Sequence, residues 1–187
     1  MRKLLLSLSL LASTSAYTQL TTINPDTVCY QTPGSIYSVT NTPGNTYTWT
    51  VLAPGVITSG QGTNQIGVDW SAAAPGLIPN AISVVASNGS GCNSPASTLN
   101  VFILQIVPSI TALGPFCSTD ACVAITTSPA GGVLTGTGVV GNTFCPATAG
   151  AGTWPLTYTV TQGGCVFTAT TTVTVNPTPT LSPISHN

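Results

Sequence analysis

Leu156-Thr157-Tyr158-Thr159-Val160-Thr161 runs into Gln162-Gly163-Gly164-Cys165, and Val166-Phe167-Thr168-Ala169-Thr170-Thr171-Thr172-Val173-Thr174-Val175 follows at once. Branched and aromatic residues alternate with threonine on both sides of a two-glycine turn, the pattern of two strands joined by a tight hairpin. Moving outward from this stretch, the same alternation recurs. A strand is predicted over Val123-Ala124-Ile125-Thr126, and an earlier set over 36–39, 46–51, 65–70, 81–86 and 98–104. Turns are marked by Pro33-Gly34, Pro43-Gly44-Asn45, Pro54-Gly55, Asn88-Gly89 and Gly131-Gly132. No stretch carries a sustained helical period. Short strands at regular spacing predict an all-β chain of two tandem Ig-like β-sandwiches.

Charge narrows the function further. Both basic residues, Arg2 and Lys3, lie directly ahead of the apolar run Leu4–Leu11 and the small residues 12–16. That order reads as a secretory signal peptide over 1–16. Without it the chain has no Lys or Arg, retains Asp26, Asp69 and Asp120, and carries a formal charge of −3 with His186 neutral. Phosphate neutralisation needs cations, so nucleic acid is excluded as a partner. Beyond the leader no apolar run reaches the ~20 residues of a membrane helix. A secreted, surface-associated protein is expected.

Six cysteines in an exported chain read as three disulfides rather than a metal site, since paired ligand spacings and nearby histidines are absent. The two strand sets share a plan, with a cysteine near the first strand and another after a glycine turn: Asn88-Gly89-Ser90-Gly91-Cys92 in one, Gln162-Gly163-Gly164-Cys165 in the other. This predicts Cys29–Cys92 and Cys117–Cys165, which leaves Cys122–Cys145. Domains are expected at 17–105 and 106–176, with 177–187 a proline-rich tail or linker to a further repeat.

Tyr47-Thr48-Trp49-Thr50-Val51, the segment Gly55–Trp70 and Ala81–Cys92 together resemble the PKD-like domains of Bacteroidota-type surface proteins. The second half, through Pro129-Ala130-Gly131-Gly132, Thr143-Phe144-Cys145-Pro146 and Gly164-Cys165, is similar to the bacterial Ig-like repeats that accompany them. The resemblance implies a spacer or adhesion module, with like subunits or neighbouring repeats as partners.

Catalysis finds little support in these residues. The three Asp fall in separate segments, and His186 sits in a proline-rich tail with no nucleophile elbow nearby. Calcium needs several carboxylates around one ion, and three scattered ones do not supply them. No enzyme, cofactor or metal is expected. Trp49 belongs to a core, whereas Trp70 and Trp154, at segment ends, are candidates for exposed rings that stack on surface glycans. A carbohydrate-binding module is therefore the alternative to a structural, adhesive or filament-forming protein. Asp26-Thr27-Val28 resembles an O-glycosylation site of such bacteria, which makes Thr27 a candidate acceptor.

Overall fold

A computed structural model describes residues 25–184 and 186; the leader read at 1–16 lies outside the described residues. Seven strands form the first sandwich: β1 (Asp26–Cys29), β2 (Ser35–Ser38), β3 (Thr46–Val51), β4 (Val56–Ser59), β5 (Gln65–Asp69), β6 (Gly76–Ser87) and β7 (Ser97–Leu104). They make a four-stranded sheet in the order β1-β7-β6-β3 and a three-stranded sheet in the order β2-β5-β4. Alternation drives the layering. Tyr47 and Trp49 of β3 and Ile66 and Val68 of β5 point inward while their neighbours are more exposed. With Val84, Val101 and Ile103 they build a single core.

The second sandwich is less regular. It contains β8 (Ser109–Ile110), β9 (Phe116–Cys117), β10 (Val123–Ala124), β11 (Thr127–Ser128), β12 (Val133–Gly136), β13 (Val139–Val140), β14 (Thr143–Phe144), β15 (Gly152–Gln162) and β16 (Cys165–Asn176). Its main sheet has the order β12-β15-β16-β9, and β10-β14-β13 and β11-β8 complete it. Leu156, Tyr158 and Val160 of β15 meet Val173 and Val175 of β16 in a separate core with Phe144 and Leu134. The threonines between them face outward in register, Thr157 opposite Thr170 and Thr159 opposite Thr168. A one-turn helix, Pro146–Ala149, stands where the sequence predicts none; proline in its first turn has no N–H to lose, and Pro146 and Ala149 are buried.

Two core tyrosines each tie a loop to their sheet. The Tyr47 hydroxyl accepts from the Thr42 N–H at 2.7 Å and donates to the Thr40 carbonyl at 3.2 Å. Tyr158 repeats the device, accepting from Gly132 N–H at 2.8 Å and donating to the Pro129 carbonyl. Among the described residues no buried side-chain polar atom lacks a partner.

The cysteines pair differently from the expectation. Cys29 is bonded to Cys165, across 136 residues of sequence, and Cys122 to Cys145; Cys92 and Cys117 are free and exposed. Neither Cys29–Cys92 nor Cys117–Cys165 exists. Strand direction is the reason. β1 lies parallel to the end of β7, with Cys29 opposite Leu104, whereas Cys92 follows the far end of β6, where Ser87 bridges Asn93. The eight residues of β7 separate those ends by roughly 25 Å, against a Cα limit of about 7 Å for a disulfide. Likewise Cys117 is opposite Asn176, at the other end of the 12-residue β16 from Cys165.

Candidate functional site at the junction of the sandwiches

The β15–β16 hairpin carries the junction. Gln162 is opposite Cys165, so Gly163 and Gly164 form a two-residue loop, and their φ values of +57° and +80° are those of a tight hairpin turn. Space at Gly163 is also tight. A Cβ there would lie 3.1 Å from both Leu104 Cδ2 and Thr27 Cγ2, so the turn rests on the ends of β7 and β1. The next residue but one, Cys165, is 1% exposed and reaches Cys29 with a Cα–Cα separation of 5.4 Å. Tyr30 N–H donates to the Leu104 carbonyl at 2.9 Å and continues the pairing of β1 past the bridge. The sandwiches are thus joined twice by covalent chain, through residues 105–108 and through sulfur.

Behind β1 lies a chain of polar groups. Trp70 Nε1–H donates to the Tyr37 hydroxyl at 3.1 Å, and that hydroxyl donates to Asp26 Oδ2 at 3.0 Å. Burial, reinforced by the Asp26 negative charge, pushes the Tyr37 phenol up to about 12, with the Trp70 hydrogen bond acting the other way. A phenol held neutral in this way is a structural donor. It is no base at ordinary pH.

Trp70 is 1% exposed, which overturns its reading as an exposed stacking ring. Its ring closes the first core over Gly55, where a Cβ would come within 2.4 Å of it. Trp154 is half-buried, packs against the second core and donates Nε1–H to the Gly150 carbonyl at 3.0 Å. Trp49 is in the core and donates to the Thr63 carbonyl at 2.8 Å. Every described aromatic side chain is buried or half-buried, and of the two candidate stacking rings only Trp154 keeps part of its surface exposed.

The carboxylates do not meet. Asp26 is on β1; Asp69 ends β5 and accepts from Ser71 N–H at 2.7 Å, which holds its carboxyl below the usual range. Asp120 accepts from Cys117 N–H at 2.7 Å and closes the small loop after β9. His186 lies exposed in the tail, and the described residues contain no cluster of three metal-ligating side chains. Thr27 is exposed, with its methyl group toward the Gly163 turn. The residues that the sequence reading missed are Leu104 and the positioning role of Gly163; the glycine pair beside a cysteine was their visible trace.

Residues 15–101 match the PKD-like domain family. The matched segment takes in β1 to β6 and β7 as far as Val101, and so contains Cys29 but not Cys165. No curated protein matches the chain. Among solved structures, the fibronectin(III)-like modules of Clostridium thermocellum CbhA are 14% identical with a TM-score of 0.36, over 87% of this chain and 95% of theirs. A chimeric titin Z1Z2 carrying an exogenous decorin peptide is 15% identical with a TM-score of 0.33, over 84% of this chain and 96% of its own. Among the described residues no helix is long and apolar enough to cross a membrane.

Proposed function

We propose that the chain is an exported, non-catalytic structural and adhesive element of a bacterial cell surface, with units at 17–105 and 106–176 held together by the Cys29–Cys165 bridge. That bridge is the observation that carries the reading. It spends an oxidised crosslink on the relation between two sandwiches rather than on either core, in a chain with no cation after Lys3 to make an ion pair. Disulfides persist in oxidising compartments, which supports an extracellular setting. The PKD-like match supports an interaction or spacer module.

Antibody labelling of intact cells producing the full chain, with mass spectrometry of the recovered protein, tests the proposal. The expected result is labelling without permeabilisation and a mature chain lacking Arg2 and Lys3; a reduced cytoplasmic protein retaining its leader would overturn it. Self-association into filaments is part of the same reading, because the chain exposes Ile36 on β2 and Val56 on β4, both edge strands, without a charged residue that blunts pairing. Sedimentation of the mature chain over a concentration series reads it. With Trp49 and Trp70 buried and Trp154 half-buried against its core, glycans are expected to leave its tryptophan fluorescence unchanged.

A further inference from the structure

The covalent route through the protein is far shorter than its sequence. β1 runs toward the junction and ends at Cys29, while β16 starts at Cys165 and runs away from it. A path from Asp26 to Asn176 therefore needs only two strands, of four and 12 residues, and one disulfide. At ~3.3 Å per strand residue this route is about 50 Å long. Both strands are already extended. Almost the whole of both cores, from Tyr37 through Val160, hangs from the route as a side loop.

We infer that the chain acts as a tie under tension, in which Cys29–Cys165 carries load past both sandwiches, so that pulling on its two ends does not lengthen it. The hydrogen bonds of β1 to β7 and of β16 to β15 lie beside this route and not in series with it, so their rupture adds no length between the ends. The Gly163 turn seated on Leu104 and Thr27 keeps the crossing point packed while load passes. For a chain without Lys or Arg after its leader, strength under load then resides in covalent bonds and not in the weaker contacts of the sheets. The inference deepens the structural role proposed above, and rests on it only for where the load comes from.

Single-molecule force spectroscopy on the mature chain, held at residues 17 and 187, tests it. The oxidised protein is expected to show no contour gain beyond its terminal segments. With a dithiol reductant the same molecule is expected to gain about 45 nm, from the 136-residue separation at ~3.4 Å per residue. The double variant C29S/C165S, which keeps Cys122–Cys145 and its 23-residue separation, is expected to gain about 38 nm. Contour length is read whether or not a variant folds. A gain of about 38 nm or more from the oxidised wild-type chain would overturn the inference, and cell-surface labelling is read independently of it.

Discussion

The Tyr37 hydroxyl joins a tryptophan in the core to a carboxylate at the surface, and its removal leaves the Trp70 N–H without an acceptor. Tyr37→Phe is expected to lower stability by about 1–3 kcal/mol, the cost of an unsatisfied buried donor, read from the urea midpoint. Its pH dependence has a definite sign. The folded phenol titrates at about 12 and the unfolded one near 10, so the unfolded chain loses its proton first as pH rises. Stability from this group is complete below about pH 10 and is lost progressively between about 10 and 12. Denaturation midpoints across that window are expected to fall more steeply in the wild type than in Tyr37→Phe. Trp70 was misread at this scale because its position beside Ser71, at a segment end, resembles a loop tip. Ala73 N–H donating to the Trp70 carbonyl turns the chain immediately, and the ring folds back over Gly55.

At the scale of elements, the β15–β16 hairpin is both the clearest signal in the sequence and the part that makes the junction. Gly163→Ala and Gly164→Ala share the strain of a positive φ, roughly 1 kcal/mol for an ordinary residue. Only Gly163 has Leu104 and Thr27 against it, while Gly164 faces open space. Gly163→Ala is therefore expected to be the more destabilising, with faster hydrogen exchange at Tyr30 N–H, and a reversed order would refute the close approach. Long alternating strands such as 46–51 and 98–104 were legible, because alternation over six or more residues has one interpretation. β1 and β4 were not. Asp26–Cys29 is too short to alternate visibly and earns its strand state by parallel pairing with β7, a long-range partner that local pattern does not reveal. β6 begins earlier than 81–86 because Leu77 and Ile78 pair with Phe102 and Val101 across an irregularity at Pro79 and Asn80. There Asn80 adopts φ +48° and its N–H bonds Asn100 Oδ1 at 2.8 Å.

For the whole molecule, the pairing of sulfurs makes a countable statement. Alkylation of the folded, unreduced chain is expected to modify two thiols, Cys92 and Cys117, and alkylation after reduction and unfolding to modify six. Intact-mass measurement separates this from three disulfides, which would give none before reduction. Trypsin is expected to cut nowhere beyond Lys3, reduced or oxidised, since no Lys or Arg follows it. The two-sandwich architecture could be read in advance, but the bridge between the units could not. Spacing along the chain treats each unit as closed, and the ends at which Cys29 and Cys165 emerge depend on which way β1 and β16 run.

That separation also orders assembly. A chain delivered N-terminus first presents Cys29 to Cys92, Cys117, Cys122 and Cys145 before its true partner arrives. The closed first sandwich holds Cys92 at the opposite pole from Cys29, so the packing of Val28, Val101 and Ile103 keeps those two sulfurs out of reach of each other.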